Sequence, residues 1–239
     1  MKTLIISDIH SNLEALETFV EFYDKYEGEK EIVCLGDIVG YGPSPSECLG
    51  IIISLTSKIV MGNHDSAVVD VAGEVFMNRY ARHGVRFSRD CLTDNHKKTI
   101  SGFQYRITDE DIIYAHSTPI NPDKWRYIDD EYTAAKYLSL MEQRLAFVGH
   151  SHIPGVFSEG EVHENGGTYR ISKDANTIVN VGSIGQPRDN DPRLCFFIFD
   201  KSDWTLEKVR LSYDIEKTVE RIRKSGLPSF LGERLRTGF

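Results

Sequence analysis

The chain has 239 residues, 40% of them apolar and 27% charged, which is enough to bury a full core and excludes a disordered or fibrous protein. A formal charge of −8 argues against broad nucleic-acid binding through phosphate contacts, leaving room only for a small local positive site. Cys34, Cys48, Cys91 and Cys195 form no C-x-x-C pair, Leu4-Ile5-Ile6 is too short for a signal-peptide core, and no apolar run approaches the ~20 residues of a membrane span. The expectation is a cytoplasmic protein with no membrane segment, zinc ribbon or disulfide framework.

Leu4-Ile5-Ile6 reads as a short buried strand ending at Ser7-Asp8-Ile9-His10. Ser11-Asn12 supplies helix N-cap chemistry, and Leu13, Leu16, Val20 and Tyr23 recur at helical spacing to about residue 26. A second strand, Ile32 to Leu35, ends at Gly36-Asp37 and enters the loop Val39-Gly40-Tyr41-Gly42-Pro43. A helix opening at Ser44-Pro45 runs to about residue 54. A third strand, Lys58 to Met61, ends at Gly62-Asn63-His64-Asp65. Three strand-helix units in this order call for a parallel sheet with right-handed crossovers.

From about residue 66 to 100 the spacing of Val75, Tyr80, Val85, Phe87 and Leu92 is helical, which marks an insertion between strands. Gln104 to Ile107 and Asp111 to Tyr114 form a hairpin around Thr108-Asp109-Glu110, and its second strand ends at Ala115-His116. A helix from about Glu131 to Gln143 precedes the strand Leu145 to Val148, which ends at Gly149-His150-Ser151-His152. Beyond it, strands are expected at 155–157, 168–171, 177–181, 194–199 and 206–211, forming a second sheet in the C-terminal half. One helix at about 215–225 and a break at Gly226-Leu227-Pro228 lead into a basic tail. The whole reads as one α/β domain, residues 1–239, with two sheets face to face, helices outside and a helical tail over about 214–239.

Five of the eight histidines, two aspartates and an asparagine gather at these strand ends. In an open α/β sheet that is where ligands bind. Asp8, His10, Asp37, Asn63, His116, His150 and His152 are seven oxygen and nitrogen donors without a thiolate. One ion takes four to six ligands including water, so the set suits two ions about 3.5–4 Å apart with a bridging carboxylate. Several imidazoles favour Mn, Fe, Zn or Co over Ca or Mg alone, and Ni falls in the same class.

Asp8-Ile9-His10, Gly36-Asp37, Gly62-Asn63-His64-Asp65, Ala115-His116 and Gly149-His150-Ser151-His152 resemble, in order, the five motifs of the calcineurin-like metallophosphoesterases. The Gly40-Tyr41-Gly42-Pro43 loop and the run Asn180-Val181-Gly182-Ser183 with Gln186-Pro187-Arg188 look closest to the small bacterial and archaeal phosphodiesterase-like branch. The resemblance spans about residues 4–200 and implies a four-layer α/β/β/α sandwich. It also implies a first metal on Asp8, His10, Asp37 and His152, and a second on Asp37, Asn63, His116 and His150, with Asp37 as bridge. The implied activity is binuclear phosphoesterase chemistry, in which a metal-bound hydroxide attacks phosphorus and His64 protonates the departing oxygen.

One departure bears on substrate. Protein phosphatases of the superfamily carry an Asp-Arg pair where this chain has Gly40-Tyr41, so a small phosphodiester or nucleotide is favoured over a phosphoprotein. The alternatives are a phosphomonoesterase, a dinucleoside polyphosphate hydrolase, or a non-catalytic scaffold on the same fold, which would be expected to lose ligands that this chain keeps. A binuclear amide or thioester hydrolase would need a His-x-His-x-Asp-His cluster that is absent. Asn63 and Tyr41 are expected at the substrate, with Tyr127 beside them. Arg188 either grips phosphate or pairs with Asp189 or Asp191, and Asp65 either orients His64 or caps a turn. His83, His96 and His163 are ordinary histidines.

Overall fold

A computed structural model describes residues 1–239. The chain opens with β1 (Lys2–Ile6), α1 (Leu13–Lys25), β2 (Lys30–Cys34) and α2 (Pro45–Leu55), then runs through α3 (Asn63–Val69), α4 (Arg79–Cys91) and α5 (Asp94–Ser101). The hairpin β3 (Arg106–Asp109) and β4 (Ile112–Ala115) comes next, then α6 (Glu131–Leu138) and β5 (Leu145–Val148). The remaining strands are β6 (Gly155–Ser158), β7 (Val162–Asn165), β8 (Thr168–Ile171), β9 (Thr177–Asn180), β10 (Leu194–Asp200) and β11 (Thr205–Leu211). The tail carries α7 (Ile215–Lys224) and the short α8 (Phe230–Glu233). Local chemistry sets several boundaries: Asn12 caps α1 by accepting the N–H of Ala15, Pro45 opens α2, and Asn78 and Asp214 cap α4 and α7.

Period-two alternation sorts the side chains into layers. Leu4, Ile6, Phe196 and Ile198 face outward and pack with Leu16, Phe19, Leu49 and Ile52 of α1 and α2. Their neighbours Ile5, Phe197 and Phe199 face inward and meet Tyr114, Phe147 and Val179 from the other sheet. On that sheet's far side Ile113, Ala146, Val148 and Ile178 pack against Ala134, Tyr137 and Leu138 of α6. Three apolar seams therefore separate four layers, α/β/β/α.

The strands are shared between the sheets differently from the expected halves. One sheet has the order β2-β1-β10-β11-β8-β7 and the other β3-β4-β5-β9-β6. The N-terminal strands are thus completed by C-terminal ones: β1 runs parallel to β2 and antiparallel to β10, with Ile5 opposite Phe197. The segment 58–61 builds no ladder. Ile59 bridges Cys34 on the edge strand β2, and Val60 bridges Gln104 just ahead of β3, so the segment is tied by single bridges and joins neither ladder. The hairpin β7–β8 adds a strand at residues 162–165, and α6 stops at Leu138, short of the expected end.

Candidate metal centre

The expected donors converge from the two sheets onto one region. Asp8 and His10 come after β1, Asp37 after β2, His116 after β4, and His150 and His152 after β5, while Asn63 and His64 open α3. Main-chain bonds lace these ends together: the N–H of Asp8 donates to Gly36 at 3.0 Å, that of His10 to Asp37 at 2.9 Å, and that of Gly149 to His116 at 2.8 Å. Asp8, His10, Asp37, His116, His150 and His152 are all buried.

Each imidazole at the centre has one ring nitrogen placed against a main-chain carbonyl. His10 Nδ1 lies 3.2 Å from Val39 O, His116 Nδ1 2.8 Å from Leu35 O, His150 Nε2 3.0 Å from Trp125 O, and His152 Nδ1 2.6 Å from Gln186 O. A carbonyl only accepts, so each contact fixes that nitrogen as the N–H and turns the other inward. The inward nitrogens then form two groups. His10 Nε2 and His152 Nε2 are 3.1 Å apart, with Asp8 Oδ1 at 3.7 and 3.1 Å from them. His116 Nε2 and His150 Nδ1 are also 3.1 Å apart, with Asn63 Oδ1 3.2 Å from His116 Nε2. Asp37 Oδ2 stands 3.6 Å from His10 Nε2 and 3.3 Å from His116 Nε2, between the groups.

This arrangement fits cations. Neutral rings donating outward would leave lone pair facing lone pair at 3.1 Å, and Asp8 Oδ1 is buried with no hydrogen-bond partner. The proton balance agrees. Burial opposes ionisation of Asp8 and Asp37, but the surrounding histidines outweigh it and hold both carboxyls well below their usual range. Burial pushes His10 and His152 down and takes His150 to about 3. His116 alone goes the other way in the metal-free protein: burial works against its charge, but Asp37 prevails and raises it to about 9, and a cation held beside Asp37 would take the place of that proton.

His64 sits at the edge of the first group. Its N–H donates to Asp37 Oδ1 at 2.8 Å, and its ring centre is 4.7 Å from that of His10 and 4.5 Å from that of Tyr41. Nδ1 is buried without a partner against Gly40, and burial first of all lowers the ring to about 4. Asp65 does not reach this ring. Its Oδ1 accepts from Ile38 and Val39 N–H at 3.0 and 3.2 Å, and its Oδ2 from Gly62 N–H at 3.2 Å, because three amides at the head of α3 and in the adjoining loop need a buried acceptor. Tyr41 is 5% exposed and packs on Ala81, Leu231 and Leu235, which puts it behind the histidines.

Arg188 is free of the acids beside it. Asp189 pairs with Arg210 and Asp191 with Arg193, whereas Arg188 Nη2 donates to Gln186 Oε1 at 2.8 Å and its Nε is buried without a partner. Tyr127 stacks on His150 with ring centres 4.1 Å apart. His83 lies on α4, and His163 is exposed beside Glu161. Sequence reasoning missed the groups that hold the site residues, above all the carbonyls of Leu35, Val39, Trp125 and Gln186, which any side chain at those positions would provide.

A sandwich of two sheets with buried imidazoles, carboxylates and an amide at its strand ends defines a metal-dependent hydrolase of phosphoric esters. The chain belongs to the calcineurin-like phosphoesterase superfamily, whose domain matches residues 1–203. It is 38% identical to an uncharacterized protein of Methanocaldococcus jannaschii over 98% of this chain and 97% of that one. It resembles a metallophosphoesterase from Sphaerobacter thermophilus with a TM-score of 0.88 and 35% identity over all of both chains. A hypothetical protein from Pyrococcus horikoshii shares the fold, with a TM-score of 0.81 at 17% identity, over 100% of this chain and 98% of that one.

Proposed function

We propose that the protein is a binuclear phosphodiesterase acting on a small phosphodiester or nucleotide. The observation that carries this reading is the position of Asp37 Oδ2, 3.6 Å from His10 Nε2 and 3.3 Å from His116 Nε2, one carboxylate oxygen serving two separate imidazole groups. Asp8, His10, Asp37 and His152 would hold one ion, and Asp37, Asn63, His116 and His150 the other, with Mn or Fe best suited to the mixed donors. When bound, the ions supply Lewis-acid activation of water and of the phosphoryl oxygens.

The chain's own residues do the rest. His64 is the proton donor to the leaving oxygen. Its Nδ1 is enclosed by Gly40, so Nε2 is the atom left to meet substrate. Burial keeps the free ring neutral, and an anionic ester placed beside it raises its affinity for a proton, so the proton arrives with the substrate. Arg188, without an acid partner, grips a phosphoryl oxygen and orients the ester. Gly40-Tyr41 contributes no charge. A monoester dianion gains more from a charged clamp than a diester monoanion does, so its absence favours diesters.

Purified protein supplied with Mn²⁺ is expected to hold two ions per chain and to hydrolyse bis-nitrophenyl phosphate, and Asp37→Ala is expected to lower both occupancies. Elemental analysis that stays at one ion under saturating metal overturns the binuclear reading. Turnover confined to monoesters overturns the diester preference.

A further inference from the structure

The segment between β4 and α6 reaches the second imidazole group and is held there at several points. Ser117 Oγ donates to the Pro122 carbonyl at 2.8 Å and Thr118 Oγ1 to that of Ile120 at 3.0 Å, while Asn121 and Trp125 take left-handed backbone, with φ of 54 and 51. Trp125 then gives its carbonyl to His150 Nε2 at 3.0 Å, and Ile128 is buried in the seam between the sheet and α6. Tyr127 lies between these two anchors, so the backbone fixes its ring from both sides.

That ring lies on His150, with centres 4.1 Å and planes 12° apart, and His150 Nδ1 is itself 3.1 Å from His116 Nε2. Tyr127 is therefore one ring removed from the inward nitrogens of the second group. The imidazole covers one of its faces. The residue nevertheless keeps 48% of its surface, and no second ring stacks on it, so the other face is open. Tyr105, 43% exposed, and the half-buried Trp125 continue the aromatic surface on this side, with their ring centres 5.8 Å apart and that of Trp125 6.0 Å from His116.

The two halves of the centre are thus walled differently. Beside the first, Tyr41 stands 4.7 Å from His10 between ring centres, but Ala81, Leu231 and Leu235 close over it. Beside the second, a flat aromatic face stays in solvent. A ring already held in place gives up little freedom when another is laid on it. Stacking of a base on such a ring raises affinity about tenfold or more and tolerates any base, since every base has a π-face.

Resting on the phosphoesterase reading above, we propose that Tyr127 is a specificity residue whose open face stacks a planar aromatic group carried by the phosphoester. The substrate class is that of esters bearing a nucleobase or another flat ring, preferred over esters of sugars and simple alcohols.

The test is calorimetry on full-length protein supplied with Mn²⁺, using phosphonates, in which carbon replaces the bridging oxygen so that no probe turns over. One pair is the phosphonate analogue of adenosine monophosphate against that of ribose phosphate, and the other is phenylphosphonate against methylphosphonate. In at least one pair the wild type should bind the ring-bearing member about tenfold tighter, and the pair that shows it tells a nucleobase from a simple aryl group. Tyr127→Leu keeps an apolar side chain on His150 but offers no flat face, and should bring the ratio to within about twofold of unity, whereas Tyr127→Phe should preserve it. Equal binding within both pairs overturns the proposal. So does an undiminished ratio in Tyr127→Leu, because a tyrosine that only steadied His150 would act on both members of a pair alike. Were Tyr127→Leu unable to fold, Tyr127→Gln carries the same expectation at this half-exposed loop position. Binding alone is read, so a protein with the Tyr127-dependent ratio that hydrolyses no diester would lose the phosphodiesterase reading and keep this one, and hydrolysis without the ratio would do the reverse.

Discussion

Gly40→Ala tests whether His64 is held in place from behind. Gly40 has φ +92, and a Cβ built on it would lie 2.2 Å from His64 Nδ1, 2.9 Å from Cγ and 3.1 Å from Cβ. Ordinary contact begins near 3.4 Å, so 3.4 less 2.2 requires a retreat of about 1.2 Å by the ring or the loop. Neither moves freely. The His64 N–H is bonded to Asp37 Oδ1 at 2.8 Å, while the Gly40 N–H donates to Ser88 Oγ of α4 at 3.0 Å. Left-handed backbone costs an alanine about 1–2 kcal/mol, and the clash adds about 1–3 kcal/mol. Displacement of a proton donor by about 1 Å lowers turnover by about 10².

The assay compares a nitrophenyl ester with an ester of a poor leaving group, alongside metal content. Gly40→Ala should keep wild-type metal content and lose more rate on the poor leaving group, because that oxygen depends on the proton. In a His64→Ala background the added methyl should cost no further activity, since the ring it displaces is gone. Wild-type turnover on the poor leaving group, or losses that multiply in the double variant, would refute the reasoning.

Two further outcomes rest on buried polar groups. Asp65→Ala leaves three main-chain N–H groups without their acceptor, and urea unfolding should register a loss of about 3–5 kcal/mol; a loss under about 1 kcal/mol contradicts the assignment of Asp65 to those amides. Metal-free protein should be most stable near pH 6.5. The depressed His64 and His150, at about 4 and about 3, contribute stability above 6.5 that disappears as pH falls towards those values, by about 1.4 kcal/mol per pH unit for each ring. His116, raised to about 9, contributes stability that is complete below 6.5 and is lost as pH rises through 9. Denaturant unfolding across this range in a chelator checks the profile, and a flat curve would contradict it.

The gathering of these side chains was legible in the sequence because each motif pairs an apolar run with a polar stop, and a strand that ends must present the polar residues just beyond it. The layers were legible only in part: the unbroken apolar runs Leu4-Ile5-Ile6 and Phe196-Phe197-Ile198 mark strands buried on both faces, but they do not say which face meets the helices and which the other sheet. Strand partnership was not. Whether β1 pairs with residue 59 or with β10 depends on contacts across nearly the whole chain, and β-branched residues at 59–60 suit a ladder and a single bridge equally. Asp65 was ambiguous because capping a turn and orienting a ring ask for the same carboxylate.

The backbone at the centre explains how neighbouring donors reach different partners. In an extended strand residues i and i+2 share a face, so His150 and His152 would point together. Instead both have left-handed backbone, with φ of 67 and 62, and His150 meets His116 while His152 meets His10. Asp8, His10 and Asp37 are also left-handed, with φ of 54, 49 and 50. Each such residue costs about 1–2 kcal/mol, and strain of this kind persists only where surrounding contacts over-determine it. Here they do. Asp8 is held through its N–H to Gly36, through its carbonyl from Gly185 N–H, and through Oδ2 from His150 N–H at 3.0 Å. The residue that offers a carboxylate to one imidazole group thus fixes the backbone of a histidine in the other, so the spacing between the groups is set by the protein's own hydrogen bonds.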